Sequence, residues 1–249
     1  MFNSNYFRKI SLPQSGRIFA IGDIHGCVRE LEILLEGLVT LENLGKEDLV
    51  VFIGDYIDRG PAVKETVETL INFKLSYPNA IFLRGNHEDM FLDYLGLGGG
   101  LGEFYIDNDG DATLKSYGIS IFEPGPLGRD RLPFHHLNFF KELETGIECG
   151  DYLFVHAGLD PARNPENQLL NDLLWVRDSF IPYQHDFGKT IVFGHTPFED
   201  IFFDLPYKIG IDTGLVYGNK LSCLELDSKI ALQIGSQDNK IKKISFVKE

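Results

Sequence analysis

The chain has 249 residues and an acidic composition, with a formal net charge of −14 and a sequence pI near 4.9. That length suits one large domain, and the acidic balance argues against a general nucleic-acid-binding surface, which would present Lys and Arg to the phosphates. No segment reaches the ~20 apolar residues of a membrane span, so we expect neither nucleic acid nor a membrane as a partner.

The N-terminal residues lack the apolar stretch of a signal peptide, so we expect a short arm over residues 1–15 that leads into the first strand. The three cysteines, Cys27, Cys149 and Cys223, form no CxxC pair and no even-numbered framework. Reduced thiols in a cytoplasmic protein are the simplest interpretation. Cys27 follows the first polar motif, where a small buried residue opening a helix is favoured over a residue near a metal.

Short apolar runs alternate with helical patterns in the first hundred residues. We predict strands at residues 17–21, 49–53 and 80–83, followed by helices at residues 28–38, 62–73 and 86–94 respectively. This β-α-β-α-β order indicates an α/β fold whose strands are buried between layers. In such units ligands gather at the carboxyl ends of the strands, which is where the polar motifs of this sequence stand.

Residues 95–140 interrupt the alternation with a glycine-rich opening and a Pro/Gly-rich turn. Two interpretations stay open: a surface excursion with short helices, or a cap that faces the substrate. Strands at residues 151–155 and 190–193 follow, and the remaining chain predicts an antiparallel meander at residues 207–211, 221–226, 230–234 and 241–247. No repeat or linker is visible, so we predict one domain over residues 1–249.

The first two glycine-bounded motifs, GDIHG and GDYIDRG, carry potential metal ligands. Asp23 and His25 are two residues apart, so in extended backbone both side chains point the same way and can reach one ion. The carboxylate of Asp55 has two oxygens and can bridge two cations. Asp58 and Arg59 follow in the same loop, where Asp58 can serve as an orienting carboxylate and Arg59 can bind phosphate oxygens through its guanidinium. The alternative is that Asp58 caps a helix and Arg59 is exposed to solvent.

Three further motifs add an amide and three imidazoles. Asn86 and His87 stand at the start of a predicted helix, so their side chains diverge by about 100°. One can bind metal while the other faces the substrate as a general acid, with helix capping as the local alternative. His156 and His195 end buried strands, and with the carboxylates they are best explained as metal ligands. Mixed imidazole and carboxylate ligation suits manganese, iron or zinc better than magnesium or calcium. We expect no role in the site for the other three histidines, His135, His136 and His185.

The motifs GDIHG, GDYIDRG, RGNHE, HAG and GHT, in this order from Gly22 to Thr196, resemble the phosphoprotein phosphatase family of calcineurin-like metallophosphoesterases. The tail GIDTGLVYGNKLSCLEL is similar to the bacterial and bacteriophage branch of serine/threonine protein phosphatases. The resemblance implies a four-layer αββα sandwich, with two central mixed β-sheets flanked by helices. It also implies two divalent metal ions per chain, Mn²⁺ foremost and Fe or Zn next.

The resemblance assigns a role to each motif residue. The first-metal ligands would be Asp23, His25 and Asp55, and the second-metal ligands Asp55, Asn86, His156 and His195, with Asp55 bridging. His87 would be the general acid and Asp58 the carboxylate that orients it, whereas Arg84 would be structural. Arg59, Arg177 and Asn86 would contact the substrate phosphate. Because the pattern around Arg177 is loose, a surface pair with Asp178 is the alternative.

These roles imply hydrolysis of phosphomonoesters, foremost phosphoserine and phosphothreonine in proteins, by direct attack of a metal-bridging hydroxide with His87 as general acid. The nearest alternative is a symmetrical bis(5′-nucleosyl)-tetraphosphatase, from a sister group that tends to lack the Asp58-type carboxylate and to read GNHD. A non-catalytic metal-dependent binding module is disfavoured because every motif position is present. The expected partner is a phosphorylated protein or a small phosphoester, with phosphotyrosine and the oligomeric state left open.

Overall fold

The computed structural model describes residues 6–11 and 16–246, which form twelve strands and seven α-helices. The strands are β1 (Phe7–Ile10), β2 (Ile18–Ile21), β3 (Leu49–Phe52), β4 (Ala80–Phe82), β5 (Gly146–Cys149), β6 (Tyr152–Val155), β7 (Thr190–Phe193), β8 (Phe202–Asp204), β9 (Lys208–Gly210), β10 (Lys220–Glu225), β11 (Ile230–Gly235) and β12 (Lys242–Ser245). The helices are α1 (Val28–Leu41), α2 (Val63–Ser76), α3 (Asn86–Tyr94), α4 (Asp111–Ser116), α5 (Gly125–Gly128), α6 (Phe134–Lys141) and α7 (Leu170–Trp175).

The strands form two six-stranded mixed sheets. The first sheet has the order β12-β11-β10-β2-β3-β4, in which β2, β3 and β4 are parallel and β10, β11 and β12 form an antiparallel meander. The second sheet has the order β1-β5-β6-β7-β9-β8, in which β6, β7 and β9 are parallel. Two mixed sheets flanked by helices confirm the predicted fold class.

Alternate residues of the strands pack into different layers, as the two-residue period of a strand requires. Phe19 and Ile21 of β2 belong to the hydrophobic cluster that includes Leu31 of α1 and Val67 of α2. Ile18 and its alternate neighbours pack instead into a cluster shared by both sheets, and the far side of the second sheet packs against α7. The order of layers is therefore helices, sheet, sheet and helix. Within the described ranges, none of the helices is long and apolar enough to cross a bilayer.

The predicted meander is wrong at its first strand. Residues 207–211 contribute β9, which lies in the second sheet between β7 and β8 and runs parallel to β7. An apolar run shows that a strand exists but carries no signal for the sheet it joins. The other three meander strands are β10, β11 and β12, although the last predicted residue, Val247, lies outside the described part of the chain. Three strands, β1, β5 and β8, were not predicted, and β1 falls within the expected N-terminal arm.

The segment of residues 95–140 packs onto α3 through its aromatic side chains. The ring centroids of Tyr105 and Phe140 lie 5.4 and 5.2 Å from that of Phe91 on α3. Leu114 and Tyr117 are buried in the same cluster, so this segment extends the hydrophobic core. It also supplies side chains to the site described next.

Candidate metal centre

Seven polar side chains converge where five strands end. Loops after β2, β3, β4, β6 and β7 carry them, and each side chain is at least 95% buried. The residues are Asp23, His25, Asp55, Asn86, His87, His156 and His195. Because parallel strands of two facing sheets end at the same edge, residues far apart in sequence meet in one cluster.

The backbone of this cluster adopts left-handed conformations that side chains rarely take. His25, Asp55, Asp58, Arg59 and His195 have φ values between 46° and 67°. Each such residue costs about 1 kcal/mol or more, so surrounding contacts must fix these loops.

Glu88 on α3 supplies those contacts for the loop after β3. Its Oε2 accepts hydrogen bonds from the backbone N–H groups of Asp55 and Gly85, both at 2.9 Å. Its Oε1 accepts from Tyr56 at 2.8 Å and Ile57 at 3.2 Å. A Cβ at Gly85 would collide with the Asp55 carboxylate, so the loops pack at backbone contact there. Glu88 was noted in the sequence only as part of the GNHE motif, and its position three residues after Gly85 at a helix start is the signal that could have revealed this role.

The donor and acceptor pattern of the cluster suits bound cations. The Nδ1–H of His25 donates to the Ile57 carbonyl at 2.7 Å, so its Nε2 lone pair faces Asp55 Oδ2 at 3.4 Å. The Nδ1–H of His156 donates to the Ile53 carbonyl at 3.0 Å, which leaves its Nε2 lone pair 3.4 Å from Asp55 Oδ1. With neutral rings, each pair brings two acceptor atoms together, an arrangement that a positive charge stabilises; at the first pair Arg59 Nη1 also donates to His25 Nε2 at 2.7 Å.

Two overlapping groups of ligand atoms share Asp55. His25, Asp55 and His87 form one group, and Asp55, His156 and His195 form the other, with all atoms of a group within 4.8 Å of one another. Asn86 Oδ1 lies 2.9 Å from both His156 Nε2 and His195 Nδ1. These residues therefore fit two cations with a common carboxylate.

Asp23 adds an oxygen beside the same cluster. Its Oδ2 accepts a hydrogen bond from the His195 backbone N–H at 3.0 Å, whereas the buried Oδ1 atom has no hydrogen-bond partner. Burial and the neighbouring carboxylates of Asp212 and Asp55 raise the pKa of Asp23 well above its ordinary value. A bound cation would reverse that shift. Asp212, buried in the loop after β9, was not identified from the sequence.

Burial also favours the neutral rings of His25 and His195, whereas at His156 the Asp55 carboxylate outweighs burial and raises the pKa. Burial lowers the pKa of His25 to about 3 and that of His195 to about 2. Neutral rings keep the lone pairs that bind metal. His195 Nε2 is buried without a hydrogen-bond partner.

Asp58 and His87 form a buried hydrogen-bonded pair, with His87 Nδ1 2.7 Å from Asp58 Oδ2. Tyr105 donates its hydroxyl to Asp58 Oδ1 at 2.6 Å, and Thr113 donates to the same oxygen. Burial raises the pKa of Asp58, an effect that these two hydroxyl groups oppose, and it lowers the pKa of His87 to about 4. Three donors hold Asp58, which in turn fixes the His87 ring beside His25 and Asp55. Tyr105 and Thr113, both from residues 95–140, were not identified from the sequence.

The two candidate phosphate arginines contact different histidines of the cluster. Arg59 Nη1 donates to His25 Nε2 at 2.7 Å, and its guanidinium carbon lies 5.6 Å from the ring centroid of the exposed Tyr217. Arg177 Nη2 donates to the His195 carbonyl at 3.1 Å. Both guanidinium groups therefore contact a candidate metal-ligand residue.

The remaining residues considered from the sequence lie in structural contacts. Arg84 pairs with Asp89 at 3.2 Å, and His185 stacks on Phe187 with ring centroids 4.3 Å apart. Cys27 is partly buried at the start of α1.

Comparison with known proteins places this chain in a family. Residues 16–228 match the sequence model of the calcineurin-like phosphoesterases. The protein named bis(5′-nucleosyl)-tetraphosphatase PrpE (asymmetrical) from Oceanobacillus iheyensis is 28% identical over 89% of this chain and 93% of its own length. Serine/threonine-protein phosphatase 2 of Escherichia coli is 28% identical over 88% of this chain and 97% of its own length. A serine/threonine phosphatase structure from Saccharomyces cerevisiae has the same fold, with a TM-score of 0.61 at 18% identity over 98% of this chain and 85% of that one.

Proposed function

We propose, from the premise that this chain belongs to the calcineurin-like phosphoesterase family, that it hydrolyses phosphoserine and phosphothreonine monoesters in proteins with the help of two divalent metal ions. The observation that carries the proposal is the buried Asp58–His87 pair beside the ligand groups that share Asp55. A proton donor held that close to a two-cation site suits cleavage of an ester whose leaving group is a poor one.

The ligand set fits the two ions. One ion would be held by Asp23, His25 and Asp55. The other would be held by Asp55 together with residues that follow strands β4, β6 and β7, namely Asn86, His156 and His195. Mn²⁺ is the first choice and Fe or Zn the next, because imidazole and carboxylate ligands are mixed. When bound, two such ions supply Lewis acidity, which lowers the pKa of water toward neutrality and offsets charge on the phosphoryl oxygens.

The side chains of the protein bind the phosphate and control one proton. Arg59 and Arg177 offer paired N–H groups to the phosphoryl oxygens from two sides. His87 gives the proton at its Nε2 to the departing oxygen, and a phosphate dianion beside that atom would raise the pKa of the ring. Asp58 accepts the Nδ1–H and so fixes the ring orientation, as His–carboxylate pairs do elsewhere. Since these groups need no nucleophile from the protein, we expect no phosphoenzyme.

The second candidate is hydrolysis of dinucleoside tetraphosphates. Relatives with that name and relatives named protein phosphatases are equally similar at 28% identity, and the former are named asymmetrical rather than symmetrical. Tyr217, 64% exposed beside Arg59, could stack on a base. The presence of Asp58 favours the phosphatase, because an anhydride leaves as a stable phosphate and needs little help from an acid.

The test compares kcat/KM of the Mn²⁺-loaded protein for a phosphothreonine peptide and for diadenosine tetraphosphate. We expect at least a tenfold preference for the peptide, and a preference of that size for the nucleotide would overturn the choice of substrate. Inactivity on both, with two ions bound per chain, would support the non-catalytic binding module instead. Chromatography of the nucleotide products shows where the tetraphosphate is cut, and so distinguishes symmetrical from asymmetrical hydrolysis.

A further inference from the structure

A second group of candidate ligands lies apart from the metal centre, between α2 and α6. It consists of Glu68 on α2 and the adjacent His135 and His136 at the start of α6. Glu68 Oε2 lies 2.9 Å from His135 Nε2 and 2.8 Å from His136 Nε2. The side chains of Glu68 and His135 are about half exposed, whereas that of His136 is fully buried.

The His136 ring is held in place on its other side. Its Nδ1 lies 2.7 Å from the hydroxyl oxygen of Tyr117, and the two rings meet edge to face. When Nδ1 carries the proton and donates it to that oxygen, the Nε2 lone pair points at Glu68. A hydrogen bond that fixes the ring and its tautomer is what metal-binding histidines commonly have.

We propose that Glu68, His135 and His136 bind a third divalent ion, of the zinc class, separately from the two ions of the candidate metal centre. Two imidazole nitrogens and a carboxylate oxygen, with water in the open position, match the ligands that zinc accepts. Tetrahedral ligands about 2.0–2.1 Å from zinc lie about 3.3 Å apart, so the Glu68 oxygen must move outward by about 0.5 Å. The side chain of Glu68, half exposed, has room for that shift.

The surroundings of the group favour the neutral imidazole that zinc requires. Burial lowers the pKa of His136 below its ordinary value. Without an ion, the Nε2–H groups of His136 and His135 donate to Glu68 and lower its pKa to about 2, which keeps it a carboxylate. Binding of the ion would replace these hydrogens and leave the His136 proton on Nδ1. A bound ion would tie α6, the last helix of the segment that supplies Tyr105 and Thr113, to α2.

The experiment counts zinc per chain after loading chelator-stripped protein with Zn²⁺ and removing the excess by gel filtration. We expect His135→Ala and Glu68→Gln to hold one zinc fewer than the parent protein, whatever number the metal centre retains. Glu65→Gln, which removes a carboxylate from an exposed position on the same helix, is the matched control and should keep the parent's zinc content. The alanine variant changes a side chain that is 52% exposed, so it should fold.

Thermal unfolding gives an independent readout. Zn²⁺ at about 100 times its dissociation constant should raise the Tm of the parent by ~5 °C more than that of His135→Ala, because the third ion binds only the folded parent. Equal zinc content in the parent and both site variants would overturn the proposal. So would an equal loss from Glu65→Gln and Glu68→Gln, since that result would mean general attraction to acidic surface.

Discussion

The hydrogen bond from Tyr105 to Asp58 gives the sharpest test of how the proposed acid, His87, and its partner Asp58 are held. Tyr105→Phe removes the hydroxyl that donates at 2.6 Å but keeps the ring packed against Phe91 and Tyr94, each 5.4 Å away. A hydrogen bond to a charged group contributes about 1.5–3 kcal/mol. Two other donors to Asp58 remain, so we take the lower end, which corresponds to roughly a tenfold fall in kcat.

The assay compares two substrates that differ in their need for an acid. With a phosphoserine peptide, whose alkoxide leaving group must be protonated, kcat should fall about tenfold in Tyr105→Phe. With p-nitrophenyl phosphate, whose leaving group is stable as an anion, the fall should be under about twofold. Tyr94→Phe is the matched control, because the Tyr94 hydroxyl donates to the Glu123 backbone carbonyl and not to Asp58. Equal losses on both substrates would refute the idea that Tyr105 acts through the acid.

Three further predictions concern the metal centre. His87→Asn should lower turnover of the peptide by at least ~10²-fold while two metals per chain remain by elemental analysis, and loss of metal would contradict its assignment as acid. Asp23→Asn should act through metal occupancy, so full activity with both ions bound would show that Asp23 is not a ligand. Glu88→Gln should lower the free energy of unfolding by about 3 kcal/mol in urea titrations, because an amide presents one acceptor oxygen where the carboxylate has two for four backbone N–H groups. A change under about 1 kcal/mol would mean that these N–H groups find other partners.

Much of the first sheet and the polar cluster could be predicted because their signals are local. The strands β2, β3 and β4 are apolar runs that end in polar motifs containing glycine. Each motif can be recognised from a few consecutive residues of the sequence. The strand β8 was not predicted because its three residues are all half-buried and show no alternation. The placement of β9 depends on which neighbour it pairs with across the fold, and periodicity carries no such information.

The supporting side chains escaped prediction for a related reason. Tyr105 and Thr113 lie 47 and 55 residues from Asp58, in a segment whose glycines and short helices give no regular pattern. Nothing within that segment indicates that two of its hydroxyl groups meet a buried carboxylate. Side chains of residues 95–140 contact Asp58 and Arg59, and the interpretation of this segment as a substrate-facing cap stays a prediction.

The strained backbone of the centre falls on residues whose side chains the proposed chemistry needs. His25, Asp55, Asp58, Arg59 and His195 all have positive φ, where glycine would cost less free energy. Glycine at any of these positions would relieve the backbone and remove a ligand, the orienting carboxylate or a phosphate contact. Four backbone N–H groups donate to the Glu88 carboxylate, and three side chains donate to that of Asp58. These hydrogen bonds offset the cost by fixing the loop after β3. These contacts within the protein hold the loop and place Asp55 between His25 and His156, each 3.4 Å from one of its oxygens.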